Sequence, residues 1–122
     1  MSCGVTFYIG DFGKKLGVDF IQVGCGATPA PLDISDNDYM AVTFRKPSGA
    51  TLTVIAAFAD FPDSDGTPAA GDGTDGRIMI SITDASFFDE AGTWEFQGVA
   101  SLTSTYSHTS AVGTFEVSAR LV

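Results

Sequence analysis

Glycine, proline and aspartate interrupt this chain so often that no apolar pattern between them outlasts a β-strand. Glycine alone occurs 14 times in 122 residues. Between the breaks lie short runs of Val, Ile, Thr and Phe whose apolar residues alternate with polar ones. A period of two places one face of each strand in a core and the other in water. No amphipathic helix longer than one or two turns fits anywhere.

The segment TFRKPSGATLTV (43–54) shows the pattern most compactly. Residues 39–46 alternate Met40, Val42 and Phe44 against Ala41, Thr43 and Arg45. Pro47, Ser48 and Gly49 make a turn, since Pro presets φ and Gly tolerates positive φ. Residues 51–59 then place Leu52, Val54, Ala56 and Phe58 on one face. Further strands are predicted at 5–9, 17–23, 77–83, 93–102 and about 112–121. In 93–102, Trp94 and Phe96 oppose Glu95 and Gln97. In the last strand, Phe115, Val117, Ala119 and Leu121 oppose Thr114, Glu116, Ser118 and Arg120. Asp84 is placed to cap a single helical turn that Gly92 ends.

About seven such strands in one domain predict an all-β, antiparallel β-sandwich, its two sheets packed dry face to dry face. One inward Trp beside alternating aliphatics fits an immunoglobulin-like core. The Cys–Trp–Cys spacing of antibody domains is absent. Residues 5–9 and 17–23 are expected to form a hairpin centred on residue 14, which sets Cys3 opposite Cys25. The two cysteines then have disulfide geometry available. The alternative, favoured for a cytoplasmic product, is a pair of small buried thiols.

Charge excludes several functions. The formal net charge is −9, with six basic residues against fifteen acidic. Duplex and RNA binders need clustered Lys and Arg, so no nucleic-acid partner is expected. Anionic membranes are disfavoured for the same reason. The N-terminus MSCGVTFYIG has no basic n-region, and no run approaches roughly 18 apolar residues. A soluble product of a cytoplasm is expected. Charged residues make up only 17% of the chain, below the usual quarter, which fits either a surface partly covered by neighbouring chains or a small neutral surface.

No catalytic constellation emerges. His108, the one histidine, falls in the polar segment STYSHTS, read as a loop with no base–acid partner for Ser107 or Thr109. Asp89 and Glu90 are adjacent, whereas glycosidase carboxylates face each other across a cleft; they read as turn caps. Asp63, Asp65, Asp72 and Asp75 lie in DFPDSDGTPAAGDGTDG, the one low-complexity segment. Closely spaced Asp with Gly can wrap Ca²⁺, but no Glu closes an EF-hand pattern, so an acidic surface loop is the preferred reading. Arg45 and Lys46 sit at a strand end, either solvated or paired with carboxylates of another sheet or subunit. No cofactor is expected.

Taken in order, several segments resemble the N-terminal domain of phage baseplate upper proteins. FRKP followed by a Ser-Gly turn and a second strand is similar to a building block of that family. YIGDFGKKLGVDF (8–20) resembles its opening hairpin, PLDIS (31–35) its bridge into the next strand, and DGTDGRIMISI (72–82) its Asp-Gly turn before a strand. AGTWEFQGVAS (91–101) resembles its Gly-x-Trp-x-x-Gln strand and HTSAVGTFEV (108–117) its closing strand. Members of that family continue into oligomerisation or fibre-like regions, whereas this domain is expected to stand alone.

The resemblance implies a structural protein of the phage virion, non-enzymatic, present in symmetric copies and docking on other virion proteins of the tail, baseplate or capsid. Arg45, Lys46, Asp72 and Asp75 are the expected contact residues. Capsid decoration is one alternative. Another is a carbohydrate-binding sandwich for host adhesion, with Tyr8, Tyr39, Tyr106 and Phe61 as candidate stacking rings and the 63–75 loop as its Ca²⁺ site.

Overall fold

A computed structural model describes residues 6–22, 30–62, 66, 68, 71–103 and 105–119. Among them the protein is all-β, with no helix. The strands are β1 (Thr6–Tyr8), β2 (Lys14–Asp19), β3 (Ile21–Gln22), β4 (Ala30–Pro31), β5 (Tyr39–Arg45), β6 (Thr51–Ile55), β7 (Ala57–Phe58), β8 (Arg77–Ile82), β9 (Gly92–Leu102), β10 (Tyr106–Thr109) and β11 (Gly113–Ser118). The larger sheet runs β1-β11-β9-β5-β6, with β10 also on β9. A second runs β2-β8-β7, and β3 pairs β4 separately.

The β5–β6 hairpin forms where the turn chemistry places it. The Lys46 N–H donates to Ala50 C=O at 2.8 Å and the Gly49 N–H to Lys46 C=O at 2.8 Å. Gly49 takes φ 94°, which only glycine adopts without strain. At Ala56 the chain changes sheets. Ala56 still bonds Met40 C=O, whereas Ala57 and Phe58 pair Met79 and Ile78 of β8. One continuous run thus serves both layers and curls the sheet edges together.

The layers share a core, an arrangement compatible with a β-sandwich. Val42, Phe44, Trp94, Ala100, Phe115 and Val117 come from the larger sheet, and Leu16, Val18, Ile78, Ile80 and Ile82 from the smaller. Gly98 of β9 lies directly against the smaller sheet. A Cβ there would stand 2.9 Å from Val18 Cγ1 and 3.2 Å from Ile78 Cδ1. A side chain at this point of β9 would push the second sheet away.

Four expectations need correction. β1 pairs with β11, in parallel, through Thr6↔Glu116 and Tyr8↔Ser118, so the larger sheet is mixed rather than purely antiparallel. β2 pairs with β8, so β1 and β2 do not form the expected hairpin. The register that set Cys3 against Cys25 is therefore not found; the cysteines themselves lie outside the described residues. STYSHTS is not a loop throughout, because 106–109 form β10 and His108 pairs with Ala100.

The segment 84–91 makes a turn rather than a helical one, with Phe87 N–H donating to Asp84 C=O at 3.0 Å. Trp94 points inward and meets four aromatic rings. Phe87 and Phe115 stack on it with centroids 6.0 and 5.8 Å away, and Phe88 and Phe44 meet it edge-on. Phe87 and Phe88 come from the β8–β9 loop, which closes this end of the core; Phe88 also stacks on Phe7 at 4.6 Å.

Candidate interaction surface

The basic residues offer the first test of an interaction site, because there are so few. Five of the six lie among the described residues, and each has an intrachain carboxylate. Lys14 pairs Asp11 at 3.0 Å and Lys15 pairs Asp60 at 2.7 Å. Arg45 pairs Glu95 at 3.2 Å, directly opposite on β9. Lys46 pairs Asp89 at 3.0 Å and lies 5.6 Å above the Trp94 ring. Arg77, almost fully buried, reaches Asp19 at 3.6 Å and Asp75 at 3.8 Å.

Arg45 and Lys46 thus differ despite being neighbours. The Arg45 side chain is 63% exposed and its ion pair is open to solvent. Such pairs contribute at most about 1 kcal/mol. The Lys46 side chain is 17% exposed and covers the tryptophan, with Asp89 holding its ammonium. Asp89 and Glu90 tie the core-closing loop to the β5–β6 turn. Glu90 accepts from the Ser48 N–H at 3.1 Å and from its hydroxyl at 2.9 Å. Lys46→Met should therefore lower stability by about 1–2 kcal/mol, whereas Arg45→Met should change it by less than about 0.5 kcal/mol. Urea melts of the two variants check this contrast.

Asp72 and Asp75 are also engaged within the chain. Asp72 accepts from Thr74 Oγ1 at 2.7 Å and its N–H at 3.1 Å, and the Thr74 hydroxyl holds the carboxyl below its ordinary pKa. Asp75 accepts from Arg77 N–H at 3.3 Å. The turn they shape sets Gly73 against the Phe58 ring and Gly76 between the backbones of Phe20 and Leu32. Ile34 N–H donates to Gly73 C=O at 3.0 Å and Phe20 N–H to Gly76 C=O at 2.7 Å. Asp63 and Asp65 lie outside the described residues. Among those described, no three His, Cys, Asp or Glu side chains gather as a metal site.

An acidic corner forms where the 33–38 segment meets β10. Tyr106 Oη donates to Asp36 at 2.6 Å, and its ring stacks on His108 at 4.6 Å. Asp38 accepts from Thr103 Oγ1 at 2.6 Å, and that hydroxyl lowers its pKa. Desolvation, followed by Asp36 and then the charges of Asp33 and Asp38, pushes the Tyr106 phenol up to about 12. A raised phenol keeps its proton in the folded state after the unfolded chain has lost it. Its stabilisation is therefore complete below about pH 10 and is lost as pH rises toward 12. Absorbance titration at 295 nm should show a phenol step near pH 12, and Tyr106→Phe should remove it. A titration that Tyr106→Phe leaves unchanged near pH 12 would contradict the geometry.

Of the candidate stacking rings, Tyr8 and Tyr39 are about half exposed. Tyr106 is held by Asp36, and Phe61 lies beneath Lys15, 5.9 Å from its Nζ. Tyr39 borders a shallow recess of about 200 Å³ with Asn37, Asp38, Met40, Ile55 and Ala56. Ile55, at 67%, is the most exposed large aliphatic described. Sequence reading placed its strand but missed its exposure, because only the pairing order shows that β6 ends the sheet.

No family model matches this chain, and no curated protein matches it. Among the described residues, no helix is long and apolar enough to cross a membrane.

Proposed function

We propose that the chain is an immunoglobulin-like module of a tailed-phage virion, acting by docking on neighbouring virion proteins and carrying out no reaction. The observation that carries the reading is how the polar side chains are used. The described cations are each held by the chain's own carboxylates, while the edge strand β6 carries no charge at all. This suits a module whose contacts are made by backbone and small side chains rather than by a reactive cleft.

Strand order supports the immunoglobulin-like part. β5, β9 and β11 correspond to C, F and G, with β6 in the added C′ position, while β2, β8 and β7 correspond to B, E and D. The resemblance of segments 8–20, 31–35, 43–54, 72–82, 91–101 and 108–117 to the baseplate upper protein domain supports the virion location. Tail or baseplate attachment is the preferred position, with the capsid surface as the alternative. Other virion proteins in symmetric copies are the partners, and Arg45, with its open ion pair, remains a contact residue.

Separating purified particles into heads and tails and blotting each fraction tests the position. Signal confined to tails is expected; signal confined to heads would instead indicate decoration. Arg45→Met should reduce incorporation at least about twofold while changing the melt little, and undiminished incorporation would remove Arg45 from the contact.

A carbohydrate-binding reading draws on the exposed Tyr39 beside its recess. A glycan array with Tyr39→Ala as control tests it: ligand binding lost in the variant would support it, and no binding would dismiss it.

A further inference from the structure

We infer that β6 is a self-pairing edge and that its occupant is β6 of a second copy, giving one sheet continuous through a two-fold axis. This names a partner for the assembly reading above and rests on it.

The backbone supplies the first argument. The bonds Lys46 N–H to Ala50 C=O and Ala56 N–H to Met40 C=O fix the parity of the hairpin. Even-numbered residues of β6 bond β5. The N–H and C=O groups of Thr51, Thr53 and Ile55 therefore point out of the sheet, and among the described residues no strand pairs with them.

Exposed edges are ordinarily guarded by charge, proline, bulges or brevity. The other edges here are short or charged: β1 has three residues, β10 four, β3, β4 and β7 two each, and β2 carries Lys14, Lys15 and Asp19. β6 has five residues, no charge, no proline and an unbroken register with β5.

Charge and shape argue for a second copy. Segment 47–59 has no charged side chain, so a two-fold here brings no like charges together even though the chain carries −9. Centring the axis on Thr53 uses all the outward groups. Three N–H and three C=O groups from each copy give up to six bonds.

On the outer face the existing Thr43–Thr53 hydroxyl contact of 3.0 Å would continue into the same pair of the second copy. Thr51 would oppose Ile55 across the seam. That pairing would cover an aliphatic that is now 67% exposed.

Sedimentation velocity of the full chain between about 5 and 500 µM tests the seam. The weight-average mass should rise from 12.7 kDa toward twice that value. Thr53→Lys, which adds an edge charge, and Thr53→Pro, which removes an outward N–H but no bond to β5, should each weaken association at least about tenfold. Circular dichroism should show both folded. Thr114→Lys, on the same face but on β11, should leave the dimer intact. A monomer at every concentration, or undiminished association in both Thr53 variants, would overturn the inference. A chain found in particles yet monomeric would remove the seam alone, whereas a dimer missing from particles would keep the seam and remove the virion reading.

Discussion

Trp94→Ala is expected to lower the unfolding free energy by about 3–5 kcal/mol, a large share of the roughly 5–15 kcal/mol available to a domain of this size. The tryptophan has no exposed surface. It is stacked between Phe87 and Phe115, and its indole N–H donates to Glu90 C=O at 2.9 Å. Alanine would leave a cavity, an unpaired carbonyl, and Lys46 without the ring beneath it. The core-closing loop should loosen before the rest, because three of its attachments converge on this residue or next to it. Hydrogen exchange should therefore show residues 84–91 losing protection before β8 does. Trp94→Phe keeps the stacking and removes the hydrogen bond, and should cost about 1–2 kcal/mol. Equal losses for the two variants would mean that stacking contributes little.

Gly76→Ala is the second large effect, from a different cause. Gly76 has φ 71°, and an added Cβ would lie 2.6 Å from the carbonyl oxygens of both Phe20 and Leu32. Neither is a side chain that can swing aside. Left-handed strain costs about 1–2 kcal/mol, and displacing two backbone segments adds to it. A total near 3–4 kcal/mol is expected, lowering the melting temperature by roughly 10–15 °C. Gly49→Ala is the control. It shares the positive φ but has nothing within 4 Å, so it should show the strain alone, at about 1 kcal/mol. If the two alanines cost the same, the close packing at Gly76 is not what holds the turn.

These residues also show what the sequence could reveal. The β5–β6 hairpin was legible because its information is local: a Pro-Ser-Gly turn between two alternating runs. The inward sets Met40, Val42, Phe44 and Leu52, Val54 followed from the same alternation. The β1–β11 pairing was not legible, because nothing within Thr6–Tyr8 specifies a strand more than a hundred residues away. The plug made by Phe87 and Phe88 was missed because a loop has no period to read.

At the candidate site, sequence drew attention to Arg45 and Lys46 by their rarity but could not supply their partners. Glu95 and Asp89 lie on elements that only the folded sheet brings near. The open edge was hidden for the same reason. Alternation in 51–59 marks a strand with one inward face but not its place in the sheet, and only the sheet order makes β6 terminal.

Electron cryomicroscopy of the purified phage particle would test the central claim most directly. Density for a helix-free, two-layered domain should appear in symmetry-related copies at junctions between virion proteins. Intact, infectious particles in which this polypeptide is absent from every layer would contradict it.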